Sequence, residues 1–253
     1  MKKVLFWCVD CQKDFIEPTG KLYVAGAEKI IPNLVEMTKL AKKYNLTTIY
    51  TADWHNKNSK EITDKPDFIT TFPEHCMMGS SGCHLIKEIE NEMKMNFSDF
   101  EHMNFFEFDW KDNENEVKQK LNDPDFQYDD IFIYKDAFDV FVGNKYTEEI
   151  VKKINPSIVV VYGVATNVCV NYAVLGLAKR GIKVIVVIDA IKELPNLLID
   201  NIIDKWIDND VCFSSLDINE EELENNVVVK LLVDKCAYVG NIKEELKEII
   251  HPE

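Results

Sequence analysis

The chain has 253 residues, of which 46% are hydrophobic and 29% charged, values typical of a globular enzyme rather than of a disordered or fibrous chain. Its formal charge of -15 disfavours nucleic acid and anionic lipid surfaces as partners. The chain has nine glycines and no glycine-rich phosphate-binding motif, which argues against nucleotide binding. It has no run of about 18 apolar residues of the kind that spans a membrane. We therefore expect one cytoplasmic domain over residues 1–253 that acts on a small molecule, and the oligomeric state stays open.

The first part of the chain alternates strand and helix patterns. Residues 3–9 and 46–52 are apolar runs of strand length, and apolar positions three and four apart predict a helix over 27–44. Cys8 and Cys11 form a CxxC pair within and just after the first run. Because that run predicts a buried strand, we assign both cysteines to the core or to a pocket lining rather than to a redox or zinc site.

The second part repeats the alternation after an irregular stretch. Residues 91–129 show no clear period and predict an inserted segment, whose aromatic part, 97–110, is interpreted as a surface excursion, a lid or a subunit interface. The later strands and helices are predicted at 130–134, 147–154, 157–162, 167–179 and 183–188.

An extra C-terminal segment extends from about 220 to 253. It contains the apolar run VVVKLLV, which predicts one more edge strand, followed by a polar helical tail.

Strands that alternate with helices of about 10–15 residues indicate βαβ units. The predicted fold is a three-layer, doubly wound α/β domain, Rossmann-like, with a mainly parallel sheet and helices on both faces. Because such sheets bind ligands outside the carboxyl ends of their strands, the residues that follow the strands are the first candidates for chemistry. They include Asp10, Asp53, Lys135 and Gly163.

A thiol, a lysine and a carboxylate form the first candidate set. Cys169 lies where a strand gives way to a helix, and a helix N-terminus and a nearby ammonium group both lower a thiol pKa. A carboxylate such as Asp10 can accept the thiol proton and return it to a leaving group. Taken alone, Cys169 is better explained as a small buried core residue.

A second candidate set is Asp53, His55 and His75. Residues i and i+2 of an extended segment point to the same side, so Asp53 and His55 can converge on one ion. Two imidazoles and one carboxylate suit zinc, iron or manganese, with open positions for water or substrate.

The motifs together resemble those of the isochorismatase-like cysteine hydrolases, and within them the nicotinamidase branch, over about residues 3–215. The resemblance is carried, in family order, by VDCQKDF (9–15), ADWH (52–55), FPEHCMMGSSG (72–82), KDAFDVF (135–141), YGVATNVCV (162–170) and IDAI (188–191).

The resemblance implies a role for each catalytic residue. Cys169 would be the nucleophile, Asp10 the general base and then acid, and Lys135 the cation that supports both charges. The oxyanion hole would use the backbone N–H groups of Ala165 and Cys169, beside a cis peptide bond between Val164 and Ala165.

The resemblance also implies one divalent metal ion that receives the ring nitrogen of the substrate. The ion is usually zinc, with iron and manganese as alternatives, and its implied ligands are Asp53, His55 and His75. The implied substrate contacts are Phe15, Phe72 and Val164.

The activity implied is hydrolysis of nicotinamide to nicotinate and ammonia through a thioester. Two departures leave the substrate open: Asn167 stands where many nicotinamidases have Asp, and the segment after Lys135 lacks the KGT-type pattern. Another small amide or carbamoyl compound, or a vinyl ether, is the alternative substrate, and a non-catalytic binding protein on the same fold is the alternative of another class.

Overall fold

The computed structural model describes residues 3–93, 105–124, 126, 130–195, 199–217, 226–235 and 237–250. In these residues eight strands, all paired in parallel, form one sheet in the order β3-β4-β2-β1-β5-β6-β7-β8. The strands are β1 (Val4–Val9), β2 (Thr48–Asp53), β3 (Phe105–Phe108), β4 (Asp130–Lys135), β5 (Ile158–Val164), β6 (Lys183–Lys192), β7 (Cys212–Ser215) and β8 (Val239–Asn241).

Ten α-helices accompany the sheet within the same described ranges, and none of them is long and apolar enough to cross a membrane. They are α1 (Lys13–Ile16), α2 (Ile31–Lys43), α3 (Lys87–Glu92), α4 (Glu114–Leu121), α5 (Val140–Gly143), α6 (Thr147–Ile154), α7 (Asn171–Ala178), α8 (Asp200–Asp208), α9 (Val227–Asp234) and α10 (Ile242–Ile250).

The helices form a layer on each face of the sheet. From β1 the chain first adds strands on one side of the sheet, β2 to β4, and then on the other side, β5 to β8. Because the crossovers are right-handed, the helices that connect strands in one direction along the sheet lie on one face, and those that connect strands in the other direction lie on the opposite face. Helices α2 and α3 pack together on one face, whereas α7 contacts α8, and α8 contacts α9, on the other. The predicted three-layer, doubly wound α/β fold is therefore confirmed.

Strand β1 lies in the middle of the sheet, and all six of its residues are buried. It pairs with β2 on one side and β5 on the other, and a strand covered on both faces and both edges has no position for a polar side chain. This burial explains why the run from Val4 to Val9 contains no charge.

The carboxyl ends of β1, β2, β4 and β5 meet at one edge of the sheet. Val9 is in register with Thr51 on one side and with Gly163 on the other. Gly163 has φ +119°, and a Cβ at this position would lie 2.1 Å from the carbonyl oxygen of Val9, so only glycine fits here. The next peptide bond, between Val164 and Ala165, is cis, as the resemblance implies.

The prediction that residues 91–129 are irregular is wrong in the part of this segment that the structure describes. Residues 105–108 form the edge strand β3, and α4 begins at a capping box in which Asn113 and Glu116 bond each other's backbone N–H groups. Short FFEF and ENEVKQKL patterns in a polar context give a weak period, which hides both elements. Residues 94–104, 125 and 127–129 lie outside the described residues, and with them most of the proposed aromatic lid or interface.

The edge strand predicted from VVVKLLV is also wrong, because this run forms helix α9. Its N-cap, Asn226, accepts hydrogen bonds from the backbone N–H groups of Val228 and Val229, a local signal that favours a helix start. A short apolar run fits a buried helix and a strand equally well, and tertiary packing decides between them. The eighth strand comes only afterwards, at Val239–Asn241, before the final helix.

Candidate active site

The three predicted catalytic side chains meet at the carboxyl edge of the sheet. The Lys135 Nζ atom lies 2.9 Å from Asp10 Oδ2 and 3.6 Å from Cys169 Sγ. The Cys169 Sγ atom and one carboxylate oxygen from each of Asp10 and Asp53 lie within 4.8 Å of one another. All four side chains are buried, so a proton passes between these groups without bulk water between them.

Asp10 directly follows the last residue of β1. Its backbone has φ +48°, a left-handed conformation that is uncommon outside glycine and turns the side chain away from the strand direction. The Thr51 hydroxyl donates a 2.7 Å hydrogen bond to Asp10 Oδ1. Burial raises the pKa of Asp10, against the opposing effect of Lys135, which suits a group that must take up and release a proton.

Lys135 ends β4 and lies between two carboxylates, Asp10 and Asp53, the second of which accepts a short hydrogen bond from its ammonium group. Burial alone would lower the pKa of Lys135, but the two carboxylates raise it well above its ordinary value. The lysine is therefore a permanent cation.

Cys169 lies in a turn of π-helix, residues 166–170, that precedes α7. The Ala165 carbonyl accepts hydrogen bonds from the N–H groups of Val168 and Val170, at 3.0 and 3.1 Å, and so closes this turn over the end of β5. Burial raises the pKa of Cys169 well above its ordinary value in spite of Lys135. The expectation of a lowered thiol pKa is wrong, because the loss of hydration outweighs one nearby cation, and the thiol needs a base.

The three predicted metal ligands also come together. The Nε2 atoms of His55 and His75 lie 3.7 and 3.8 Å from Asp53 Oδ2. Each imidazole has its other nitrogen engaged, His55 Nδ1 with Asp136 Oδ1 and His75 Nδ1 with the Pro73 carbonyl, both at 2.8 Å. Ligand atoms around a tetrahedral zinc with bonds of about 2.0–2.2 Å lie roughly 3.3–3.6 Å apart, so the observed separations of 3.7 and 3.8 Å are slightly wider than those around a bound ion.

The charges around His55 also fit a cation. Asp53, Glu61 and Asp136 surround this one imidazole, and the buried atoms His55 Nε2 and Glu61 Oε2 have no hydrogen-bond partner in the described part of the chain. Burial would lower the pKa of His55, but Asp53 and Asp136 raise it to about 9, while burial and Asp53 raise the pKa of Glu61 to about 7. The raised pKa values of His55 and Glu61 have the direction expected where carboxylates face one another without enough positive charge, and a divalent ion would supply that charge.

Glu61 and Asp136 are functional candidates that the sequence analysis missed. Glu61 Oε2 lies 3.8 Å from His55 Nε2, a separation similar to that between Asp53 and the two imidazoles, and its Oε1 accepts a hydrogen bond from Phe138 N–H. Glu61 lies in a loop with no periodic pattern, so the sequence carries no signal for it. Asp136 directly follows Lys135 at a strand end, and the rule that selected Lys135 could have selected it too.

The motif VDCQKDF (9–15) fixes two segments that carry residues of the site. The Gln12 amide bonds the backbone N–H and the carbonyl of Asp53, each at 2.8 Å, and so fixes the end of β2. Asp14 accepts a 2.7 Å hydrogen bond from Cys76 N–H and thereby holds the loop that carries His75.

A narrow pocket of about 20 Å³ lies beside Cys169. The predicted substrate contacts Phe15, Phe72 and Val164 all line it, and the rings of Phe15 and Phe72 lie 5.5 and 6.1 Å from that of His75. The other lining residues are Leu22, Val24, Asp53, His75, Phe138, Ala165, Val168, Cys169 and Leu194.

Asn167, where the sequence departs from many nicotinamidases, is engaged in shaping this pocket. Its side-chain amide bonds both the N–H and the carbonyl of Leu194, each at 2.9 Å, and Leu194 lines the wall. A neutral amide makes this pair of bonds, which a carboxylate cannot, because it has no hydrogen to donate.

A larger cavity of about 640 Å³ lies at the opposite edge of the sheet, where β6 and β7 begin. We assign the chemistry to the smaller pocket, because parallel α/β sheets bind ligands at the carboxyl ends of their strands and the buried charges are concentrated there.

Comparisons with known proteins agree with this geometry. The family model described as Isochorismatase domain matches residues 4–201. A search of curated proteins found no match. Among solved structures, a pyrazinamidase of Pyrococcus horikoshii in complex with zinc is 21% identical with a TM-score of 0.61, and covers 84% of this chain and 99% of its own.

Two further structures show how wide the group is. A nicotinamidase from Bacillus subtilis is 14% identical with a TM-score of 0.63, covering 83% of this chain and 98% of its own. An N-carbamoylsarcosine amidase from Thermoplasma acidophilum is 20% identical with a TM-score of 0.59, covering 86% and 99%. At these identities the likeness shows the shared fold.

Proposed function

This chain belongs to the isochorismatase family of hydrolases, and we propose that it is a metal-assisted cysteine amidohydrolase that converts nicotinamide and water to nicotinate and ammonia. The observation that carries the proposal is a pair of buried clusters beside one pocket: Cys169 with Asp10 and Lys135, and Asp53 with His55 and His75. Cys169, Asp53 and His75 themselves line the pocket. Such a reaction would return nicotinamide to pyridine nucleotide synthesis in the cytoplasm.

The first half of the reaction is acyl transfer to sulfur. Asp10 accepts the proton of Cys169, and the thiolate attacks the amide carbonyl carbon. Lys135 stays protonated and stabilises the negative charge on either partner. As the tetrahedral intermediate collapses, the C–N bond breaks and Asp10 gives its proton to the leaving nitrogen, so that ammonia departs.

The second half is hydrolysis of the thioester. Asp10, again unprotonated, accepts a proton from water as the water attacks the same carbonyl carbon. The C–S bond breaks, and the proton returns to Cys169. In both halves the oxygen that gains negative charge is held by the backbone N–H groups of Ala165 and Cys169, donors of the type that commonly contributes about 10²–10³-fold to a rate.

The metal ion would be held by Asp53, His55 and His75, with the Glu61 carboxylate beside them. We propose zinc as this ion; when bound, it would supply a Lewis acid for a ring nitrogen of the substrate. The engaged Nδ1 atoms and the open Nε2 atoms support this assignment.

The pocket lining favours a neutral aromatic amide. Most of its residues are aliphatic or aromatic, and among the residues that the structure describes no arginine or lysine lines it to bind a substrate carboxylate. Phe15 and Phe72 present ring surfaces on which a pyridine ring can pack, next to His75. A carbamoyl compound that carries its own carboxylate, such as N-carbamoylsarcosine, would have no cation to pair with in this lining.

Ammonia release from a panel of amides tests the proposal. The zinc-loaded protein should release ammonia from nicotinamide and pyrazinamide, and much less from N-carbamoylsarcosine. If N-carbamoylsarcosine were hydrolysed faster than nicotinamide, the proposed substrate would be a carbamoyl compound rather than nicotinamide. No release from any amide, with the protein folded and metal-loaded, would overturn the amidohydrolase and leave the vinyl-ether and non-catalytic alternatives.

A further inference from the structure

The two histidines of the proposed metal site are oriented by different kinds of partner. His75 Nδ1 contacts the backbone carbonyl of Pro73, whereas His55 Nδ1 contacts the side-chain carboxylate of Asp136, each at 2.8 Å. A backbone acceptor is present whatever the side chain is. The Asp136 contact exists only because of the residue type at this position, which implies a specific contribution.

Three carboxylates lie around the His55 ring, but only one of them is within hydrogen-bond distance of a ring nitrogen. Asp53 Oδ2 and Glu61 Oε2 lie 3.7 and 3.8 Å from Nε2, beyond hydrogen-bond distance, while Asp136 Oδ1 lies 2.8 Å from Nδ1. A neutral imidazole carries one N–H, so a proton held at Nδ1 leaves the Nε2 lone pair open toward Asp53 and Glu61. A proton at Nε2 would block that lone pair.

The backbone around Asp136 is well placed to hold its carboxylate still. Its N–H donates a 3.1 Å hydrogen bond to the carbonyl of Gly143. Gly143 packs so closely that a Cβ on it would lie 2.7 Å from the backbone nitrogen of Ala137. The Asp136 side chain is 20% exposed, so solvent screens its charge only in part.

The same short segment reaches the site at three points. Lys135 contacts Asp10 and Asp53, Asp136 contacts His55, and Phe138 donates its N–H to Glu61 at 2.8 Å. The continuation of β4 therefore carries the catalytic cation and also two contacts to residues that surround the proposed ion.

We propose that Asp136 is a positioning residue for the metal site: its carboxylate holds the proton of His55 on Nδ1, fixes the ring, and presents Nε2 to the ion. The inference rests on the proposed function for the presence of the ion. It predicts that Asp136 contributes to metal affinity without touching the metal, and that its charge as well as its hydrogen bond matters.

Metal affinity measured without substrate tests this role. Zinc dissociation constants should be determined for wild type, Asp136→Asn and Asp136→Ala by competition with a chelator of known affinity. We expect Asp136→Ala to bind zinc about 10–100-fold more weakly. We expect Asp136→Asn to lie between Asp136→Ala and wild type, because its amide oxygen still accepts from Nδ1–H but carries no charge.

Asp139→Asn is the matched control, with the same chemical change three residues further on. Asp139 caps α5 through Phe141 N–H, a role that asparagine fills equally well, so its zinc affinity should match wild type. Melting temperatures in excess chelator show whether each metal-free variant is folded. The visible spectrum of the cobalt-substituted protein should change in Asp136→Ala and stay the same in Asp139→Asn, which a purely structural role would not produce.

Two results would contradict the inference in different ways. Equal zinc affinity in wild type, Asp136→Asn and Asp136→Ala would overturn the role of Asp136 and leave the proposed hydrolysis intact. A folded wild-type protein that takes up neither zinc nor cobalt would overturn the metal site, and the role of Asp136 with it.

Discussion

The site has a proton-transfer half, formed by Asp10, Lys135 and Cys169, and a metal half, formed by Asp53, His55, His75 and Glu61. Their buried charges are compensated in different ways. In the proton-transfer half, Lys135 lies between Asp10 and Cys169, so the cation and its partners are all supplied by the chain. In the metal half, Asp53 and Glu61 face the same imidazole nitrogen, and among the described residues His55 Nε2 and Glu61 Oε2 lack hydrogen-bond partners.

The difference indicates what each half requires. A buried anion is tolerated only where a cation or hydrogen-bond donors compensate for its lost hydration. The proton-transfer half meets this condition by itself, and the metal half meets it with protons or with an ion. Asp53 joins the halves, because it bonds Lys135 through one oxygen and faces both histidines with the other.

The largest expected effect is the loss of the nucleophile. Cys169→Ala should lower kcat for nicotinamide hydrolysis by at least about 10⁴-fold, because no other group in the pocket can form the thioester. Zinc affinity should stay at the wild-type value, since the thiol belongs to the other half. Cys212→Ala, at a half-buried cysteine in β7, is the control and should keep normal activity. Near-normal turnover in Cys169→Ala would contradict the assignment.

Removal of Lys135 should affect both halves. Lys135→Met leaves Asp10 and Asp53 buried without their cation, which we expect to cost about 3–5 kcal/mol of folding free energy. We expect kcat/KM to fall about 10²–10³-fold. Denaturant unfolding with chelator present measures the first effect, with exposed Lys153→Met as control. A variant as stable as wild type would mean that Lys135 does not balance these charges.

Removal of a metal ligand should affect one half only. His75→Asn should lose most of its zinc and lower kcat/KM about 100-fold, since a Lewis acid supplies several kcal/mol. Alkylation of Cys169 by iodoacetamide should persist, because the thiol, Asp10 and Lys135 are intact. The exposed His84 provides the matched control, and His84→Asn should retain zinc and activity. Full activity in zinc-free His75→Asn would remove the metal from the account.

The smallest effect concerns pH. Burial raises the pKa of Asp10, and the base must be unprotonated, so kcat/KM should fall as pH drops through a value above the ordinary aspartate pKa of about 4. The profile should be recorded in excess zinc, which separates this loss from release of the ion by protonated histidines. An acid limb that lies at or below the ordinary value would argue against Asp10 as the base.

The sequence was informative where chemistry follows topology. Asp10, Asp53 and Lys135 could be selected because parallel strands end at one edge. Cys169 was selected at a strand-to-helix transition and His55 by its spacing from Asp53, and the order of the motifs then supported these residues together with His75. Glu61 could not be found, since a loop without periodicity brings it to His55 only in three dimensions.

Two predictions failed because tertiary packing, which the sequence does not state directly, decides the outcome. The pKa of Cys169 depends on burial, which exceeds the effect of the neighbouring lysine. The run VVVKLLV is apolar enough for a strand, and the cap at Asn226 together with packing against α8 makes it a helix.

The most direct test of the division between the halves compares nicotinamide with benzamide, which has the same shape without the ring nitrogen. We predict that kcat/KM of the zinc-loaded enzyme is at least about tenfold higher for nicotinamide, and that removal of zinc by a chelator abolishes this preference, because the ion acts through the ring nitrogen. Equal kcat/KM values for the two amides in the zinc-loaded enzyme, or a preference that survives complete zinc removal, would contradict the account.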